Sequence, residues 1–549
     1  MSPPAPSGLS FSIRDYNDMT GGTRSTAAAI STPRALTGLA PYLLALLSGT
    51  CIALPFLEPR LYVVGWFAFL PLLFAVEDRT LKQAWLVGTI VGSVAWFGAS
   101  YWIADFLTLL KGYQAPWNYL LAVAYWLYAA QLFALIAVLF QWLRRDGRLP
   151  ESWTFPLLSV CAFALFPMLF QARLGEGQSH FLLGLQAVEL TGVYGLDFAM
   201  AMTAMLLYRL LRPRDKPVER WGMFAGVCYL LAWFGYGLYA LDYWEQQITS
   251  WETRSIGIVQ PNDAPSLEIP APPPGYSRAR PPEMEASRRL AERGAELVVW
   301  PEARFKGFHY QSTVREAYSE QVADMGSALL FHDIERERGE GRLLYYNTAT
   351  VLDEHGELAG HYRKIKRIAF GEYLPVISEI PLLRQAVEGF LGEFLREISP
   401  GEAHSVFTVS GMRVVPKICY ESAFPEFIAD SIGSDGQGKI IVFQSQDGWF
   451  GHSNQPYMHL YSSVLRAVEN RVPMVHVINN GPSAVVRPDG RIVTRTPAFA
   501  AAEELVAMPY SERAGGSFYS RHPHLFVGLA YALLGLAIAL RLLRRHPAK

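Results

Sequence analysis

Cysteine is scarce in this chain: four in 549 residues, Cys51, Cys161, Cys228 and Cys419, with no CxxC spacing. That count and spacing fit neither a zinc site nor a disulfide framework. An excess of charge of either sign is also missing, since 48 Lys and Arg face 49 Asp and Glu for a formal net charge of −1. No sustained basic patch is interleaved with aromatics, so nucleic acid is not an expected partner. The apolar part shows no evident internal repeat, which argues against a transporter built from related halves. What the chain has is apolar residues, 51% of the total, unevenly spread. Residues 36 to 242 and 523 to 540 are mostly apolar, while 253 to 510 read as an ordinary soluble α/β domain.

Residues 1–35 are rich in Ser, Thr, Ala, Pro and Gly without periodicity and read as a disordered N-terminal tail. Seven candidate membrane helices follow, each near the ~20 apolar residues a bilayer needs: 36–55, 60–76, 83–105, 117–142, 153–171, 187–211 and 221–242. The second and fifth are the shortest, and an eighth spans 523–540. Basic residues alternate with these spans. Arg14, Arg24 and Arg34 precede the first; Arg79 and Lys82 follow the second; Arg144, Arg145 and Arg148 the fourth; Arg212, Arg214, Lys216 and Arg220 the sixth. Arg541, Arg544, Arg545 and Lys549 close the chain, and the alternate loops carry only Arg60, Lys111 and Arg173. Seven helices before the soluble domain and one after put every cluster on one side, and the domain on the opposite, non-cytoplasmic side. Asp105, Glu189, Asp197 and the loop Glu176–His180 are ionisable or polar groups in or near the spans, each either functional or simply interfacial. Trp66, Trp102, Trp117 and Trp153 near helix ends fit an interfacial aromatic belt.

Within 253–510, Ser255–Gln260, Glu296–Trp300, Tyr346–Asp353, Arg413–Ile418, Lys439–Gln444 and Met474–Asn479 read as strands. Glu283–Arg293, Val314–Leu330, Ala423–Ser431 and Met458–Asn470 read as helices, and 261–282 as a Pro-rich surface loop. Buried strands separated by helices predict a layered α/β fold. Residues 377–398 form an amphipathic stretch, either a core helix or a lid that dips into lipid.

Three residues in this part carry chemistry. Cys419 follows a β-like run and precedes a helix-compatible segment. A cysteine at such an elbow is expected to expose its sulfur near a helix N-terminus, which lowers the thiol pKa; taken alone, it reads more readily as a small buried hydrophobe, and the Glu and Lys upstream shift that balance. Glu302 follows Val298-Val299-Trp300-Pro301 at the end of a buried strand. Partial desolvation there raises a carboxyl pKa into the range of a general base, although a strand-end Glu also serves as a cap or an ion-pair partner. Lys364 lies in His361-Tyr362-Arg363-Lys364-Ile365-Lys366-Arg367, where an ammonium could stabilise an oxyanion. The turn alone does not choose between Lys364 and Lys366, and it also reads as a basic surface turn.

Taken in order, Trp-Pro-Glu, then Tyr-Arg-Lys with Phe370-Gly371-Glu372-Tyr373-Leu374-Pro375, then Ile418-Cys419-Tyr420-Glu421 resemble the Glu-Lys-Cys triad of the nitrilase (carbon–nitrogen hydrolase) superfamily. Gln444-Ser445-Gln446-Asp447-Gly448-Trp449-Phe450-Gly451, the helix His459…Arg466-Ala467-Val468-Glu469, Asn479-Asn480-Gly481 and the flanking apolar helices narrow the resemblance to the apolipoprotein N-acyltransferase family. It implies a polytopic α-helical membrane domain plus an α/β nitrilase-like domain, layered as an α-β-β-α sandwich. It also implies Glu302 as base, Lys364 as oxyanion stabiliser and Cys419 as nucleophile. Lys364 is chosen over Lys366 because the family's lysine stands eight positions before the Glu that matches Glu372. Glu372 would be an accessory carboxylate, Tyr420 and Glu421 would shape the pocket, and Trp449 would contact substrate. The implied donor is a membrane phospholipid, the acceptor a diacylglyceryl lipoprotein, and the location the bacterial inner membrane with the catalytic domain on the periplasmic side; no cofactor is called for.

The chain departs from the family pattern at Gln446 and Gly448, at Lys366 and Ala369, at Ala303, and around Glu176–His180, where a Phe-Pro-Trp is absent. These departures motivate a second expectation, a paralogue acting on another lipid amine, amide or ester. A third is an idle membrane scaffold, against which the complete triad argues.

Overall fold

The computed structural model describes residues 34–145, 150–214, 216–266, 269–302, 305–339, 343–373 and 398–543. Residues 1–33 of the expected tail and, apart from Ile398, the amphipathic stretch 377–398 lie outside them; residues 34 and 35 begin the first helix, Arg34–Leu57. Among the described residues, five helices are long and apolar enough to cross a bilayer: Gly38–Leu57, Trp117–Arg144, Val193–Leu211, Pro217–Thr249 and Leu525–Leu543. Leu81–Ala99 and Ile103–Lys111 add a sixth if the pair, bent by 58°, is one span. The helix Leu81–Ala99 starts on a reciprocal cap, with the Gln83 N–H donating to Thr80 Oγ1 and the Thr80 N–H to Gln83 Oε1.

The spans expected at 60–76 and 153–171 are apolar but short, Pro59–Ala75 and Glu151–Leu165. The second stops because Phe166 precedes Pro167 and is driven to an extended backbone, ψ 122°. The span expected at 187–211 is unbroken only from Val193, after Gly192 turns the chain with φ 67°.

Basic residues from several of these segments meet at one end. Glu151 pairs with Arg144 at 3.4 Å and with Arg209 and Arg214. Arg212 reaches Glu77 at 3.4 Å, Arg145 donates to the Arg79 carbonyl, and Arg541 to that of Leu143. The tryptophans divide. Trp117 is exposed, as an aromatic belt requires, but Trp66 and Trp102 are buried. Trp66 donates to Gln178 Oε1 at 2.9 Å, and Trp102 packs edge-on against Phe170 and Phe450.

Twelve described strands form two six-stranded sheets. The first has the order β12-β1-β2-β3-β4-β5, with β1 Glu252–Gln260, β2 Leu297–Val299, β3 Ala328–Arg338, β4 Leu343–Leu352, β5 Leu358–Arg363 and β12 Ala502–Tyr510. The second has the order β11-β10-β9-β8-β7-β6, with β6 Phe407–Val409, β7 Met412–Ile418, β8 Lys439–Ser445, β9 Met474–Ile478, β10 Ala484–Val486 and β11 Ile492–Arg495. Each sheet has a parallel trio (β1-β2-β3 and β7-β8-β9) flanked by antiparallel strands. Ile258, Val299 and Leu330 of the first sheet share one core with Val414, Val442 and Val477 of the second.

Helices Pro282–Glu292 and Ser312–Met325 cover the first sheet, and Pro425–Ile432 and Gln455–Asn470 cover the second. This is the layered α-β-β-α sandwich. All seven residues of β8 are buried, as a strand covered on both faces requires. The helix expected at Val314–Leu330 ends at Met325 because Gly326 takes the left-handed cap, φ 62°, and the apolar residues beyond it begin β3.

The second helical layer shares its core with the membrane helices. Arg471, fully buried, donates to both oxygens of Gln186 and to the Pro488 carbonyl, and pairs with Glu189 at 2.6 Å. Arg471→Leu would leave the buried Glu189 carboxylate without its cation, with only the Tyr236 hydroxyl and the Trp244 indole N–H donating to it. The substitution is expected to cost about 3–5 kcal/mol, read as a lower melting temperature in detergent. An unchanged melt would mean that this pair contributes nothing to joining the two parts.

Candidate active site

Glu302, Lys364 and Cys419 converge at one edge of the sandwich because each follows the carboxyl end of a strand: β2, β5 and β7 respectively. Lys364 Nζ lies 3.7 Å from Glu302 Oε1 and 2.9 Å from Glu372 Oε1. Glu372 also accepts from the Asn347 amide and, at 2.8 Å, from the Ile368 N–H. Glu302 accepts from the Gln446 N–H at 3.2 Å and borders the same cavity as Cys419. Lys366, the alternative left open by the basic turn, points elsewhere, its Nζ 5.4 Å from the ring centres of Phe424 and Phe427.

Cys419 opens a 3-10 turn, Cys419–Ala423, with a left-handed backbone of φ 50°. Glu421, fully buried beneath it, accepts from the N–H groups of Ile418 and Ile365 at 2.8 Å, from that of Lys366 at 3.1 Å and from the Tyr362 hydroxyl at 2.7 Å. One carboxylate therefore ties the Cys419 turn to the turn that carries Lys364. Glu421 lines neither cavity described below, whereas Tyr420 borders the smaller one and Trp449 the larger.

The elbow does not treat the thiol as expected from the sequence. Cys419 is only 7% exposed, and the α-helix proper begins at Pro425, so its dipole has fallen off before reaching the sulfur. Burial first, then the Glu302 carboxylate, push the thiol well above its ordinary value, and Lys364 opposes them only in part. Burial raises the Glu302 carboxyl too; Lys364 and the Cys419 thiol pull it down, while Glu372 and Asp447 push it up. For Lys364, burial works against the charge, but Glu372, Glu302 and Cys419 together outweigh it and hold the ammonium above its usual value. The resting site is thus a neutral thiol against a carboxylate of raised basicity, with a permanent cation alongside.

Two cavities meet at Cys419. The larger, about 650 Å³, is lined by Glu302, Lys364, Glu372, Trp449 and Asn479, and by Phe106 and Leu110 from the helix Ile103–Lys111. The smaller, about 110 Å³, is walled by Trp96, Trp102, Tyr125, Phe170 and Tyr420. Phe450, stacked on Phe106 at 5.2 Å, borders both. The Cys419 turn also bonds the membrane part directly: the Tyr420 hydroxyl donates to the Leu169 carbonyl at 2.6 Å, and Arg173 donates to the Ala423 carbonyl at 3.2 Å.

Sequence reasoning named His459 and Asp447 only as parts of motifs and passed over Asn347. Each bonds a side chain on a different element, and no local pattern shows such a pairing. Of the polar groups in the spans, Glu189 pairs with Arg471, Asp197 accepts from the Gly175 N–H at 2.7 Å, and Glu176 borders the smaller cavity.

Residues 282–507 match the Carbon-nitrogen hydrolase family, and residues 48–206 match the family described as Apolipoprotein N-acyltransferase N-terminal domain. Among curated relatives, an apolipoprotein N-acyltransferase of Geobacter metallireducens is 29% identical over 526 residues, covering 92% of this chain and 96% of the relative. One from Pseudomonas aeruginosa is 31% identical over 414 residues, covering 73% of this chain and 74% of the relative. Among solved structures, an amidase of the nitrilase superfamily from Nesterenkonia AN1 has a TM-score of 0.36 and 21% identity, covering 50% of this chain and 97% of the amidase. With both domain matches in sequence and a relative at 31% identity over most of its length, the chain belongs to the apolipoprotein N-acyltransferase family.

Proposed function

We propose that this chain transfers an acyl group from a membrane phospholipid, through a thioester on Cys419, to the α-amine of an N-terminal diacylglyceryl-cysteine. The observation that carries the reading is the convergence of Glu302, Lys364 and Cys419 on a cavity whose wall includes the helix Ile103–Lys111. Glu302 takes the thiol proton, and the thiolate attacks the ester carbonyl. The Lys364 ammonium and a backbone N–H hold the oxyanion. On collapse, Glu302 returns the proton to the leaving alkoxide, releasing the lysophospholipid. Glu302 then takes a proton from the acceptor amine as it attacks the thioester, and Cys419 leaves as thiolate and is reprotonated. A buried sulfur beside the aromatic-walled smaller cavity keeps water from the thioester, which favours transfer over hydrolysis. The cluster of arginines at the opposite end of the membrane helices supports a cytoplasmic end there, and a periplasmic site in the inner membrane.

Intact-mass spectrometry after incubation with phospholipid tests the reading. The expected result is one acyl adduct, labile to hydroxylamine and mapping to the Cys419 peptide. Absence of any adduct with the thiol reduced would overturn the donor assignment; an adduct that no diacylated peptide amine discharges would redirect the assignment to another acceptor.

The protonation pattern gives a pH expectation. Glu302 must be ionised to act, and its pKa is raised. The rate of adduct formation is therefore expected to fall as pH drops, with its midpoint above the unperturbed glutamate value of about 4.3. A midpoint at or below that value would exclude Glu302 as the base.

A further inference from the structure

The left-handed backbone at Cys419 is strained for a residue with a side chain, and persists only if its neighbours hold it. Glu421 fixes the amide side of the turn. The carbonyl side is met by His459, whose Nε2 is 3.3 Å from the Cys419 oxygen and 2.8 Å from Ser422 Oγ. His459 Nδ1 sits 2.8 and 3.0 Å from the two oxygens of Asp447, which is fully buried.

Ser422, His459 and Asp447 thus have the spacing of a Ser-His-Asp relay, one turn from the cysteine. The charges around the ring work against that use. Facing His459 are Asp447, Glu302, Glu176 and the His476 ring, edge-on at 4.8 Å. Burial pushes His459 down, but Asp447, the Cys419 carbonyl and Glu302 outweigh it and favour the protonated ring. His476 goes the other way, pushed well down by burial and by His459, and is neutral. A protonated His459 has no lone pair to receive the Ser422 proton. Both its nitrogens donate, Nδ1–H to Asp447 and Nε2–H to the Cys419 carbonyl and Ser422 Oγ.

We propose that His459, oriented by Asp447, is a positioning residue that clamps the Cys419 carbonyl and so keeps the left-handed turn that presents the sulfur to Glu302. The inference rests on the reading of Cys419 as nucleophile. When the ring loses its proton, Asp447 retains the remaining one on Nδ1. Nε2 then becomes an acceptor for the Ser422 hydroxyl, and the Cys419 carbonyl loses its donor. The clamp is therefore present at low pH and lost as pH rises through His459's raised value.

The test follows alkylation of the Cys419 peptide by iodoacetamide in the full-length protein in detergent, from neutral to alkaline pH. It compares wild type with His459→Ala, His459→Gln and Ser422→Ala. At neutral pH, His459→Ala is expected to slow labelling roughly tenfold or more, the loss of one hydrogen bond from a charged donor. His459→Gln keeps a neutral donor and is expected to stay within about threefold of wild type. The ratio of wild-type to His459→Gln rates cancels thiol ionisation and is expected to fall with rising pH; Ser422→Ala should label as wild type. A flat ratio, wild-type labelling of His459→Ala, or an acyl group mapping to Ser422 would each overturn the proposal. If His459→Ala fails to fold, the Gln ratio still decides. No lipid enters the labelling, so failure of phospholipid to acylate Cys419 would count against the transferase reading and not against the clamp.

Discussion

Cys419→Ala is expected to abolish the acyl adduct and, with it, N-acylation of a diacylated peptide, a loss of more than about 10⁴-fold. The size follows from the absence of a substitute. Lys364 can polarise an ester and Glu302 can take up a proton, but neither can form the thioester that splits one difficult displacement into two. The fold should not suffer, since alanine is smaller than cysteine, keeps the same Cβ at φ 50° and leaves the Glu421 bonds in place. The measurement is intact mass together with N-acylation of a synthetic lipopeptide, at matched melting temperature. Retained N-acylation by this variant would sink the covalent route, leaving direct attack of the amine on the ester.

Lys364→Met is expected to slow adduct formation by roughly 10²–10³-fold, the effect of removing one preorganised donor to an oxyanion. A second consequence separates it from ordinary damage. Lys364 holds the Glu302 carboxyl down, so without it that pKa rises further. At a given pH less of the base is then ionised, and the rising limb of the pH–rate profile moves to higher pH. Methionine keeps the length and bulk of the side chain, but Glu302 and Glu372 lose their shared cation. An unshifted limb with a reduced rate would limit Lys364 to oxyanion stabilisation. A rate within about threefold of wild type would remove it from the mechanism altogether.

Much of the sandwich was legible because its inner strands are continuous apolar runs. The six segments read as strands fall on β1, β2, β4, β7, β8 and β9, all of which lie inside their sheets. The strands β5, β6, β10, β11 and β12 were not seen; β6, β10 and β11 have only three or four residues, and the edge strand β12 mixes exposed and buried positions along its length. The missed strand β3 was hidden for a different reason, since its apolar residues prolong the preceding helical pattern, and only Gly326 marks the break. At the site, the three chemical residues were visible as motifs, but the state of the thiol was not. An elbow cysteine reads as activated when only its own segment is considered; burial and the facing Glu302, brought in from the other sheet, reverse the sign.

The helix Pro217–Thr249 has 33 residues, about 50 Å at 1.5 Å per residue, against a hydrocarbon core of about 30 Å. It runs on into β1 after only Ser250 and Trp251, and its far end is braced by Glu245 against Arg487 and Arg491. The return path to the last membrane helix leaves from β12, the hydrogen-bonded neighbour of β1. A body moored at two adjacent points can swing only about the line that joins them. The Glu245 brace, the Arg471–Glu189 pair and the Tyr420–Leu169 bond block that swing. Cys419 is therefore held at a set height relative to the membrane helices like a fixed stylus, and the lipid substrates proposed for it would reach it by lateral diffusion, a search in two dimensions rather than three.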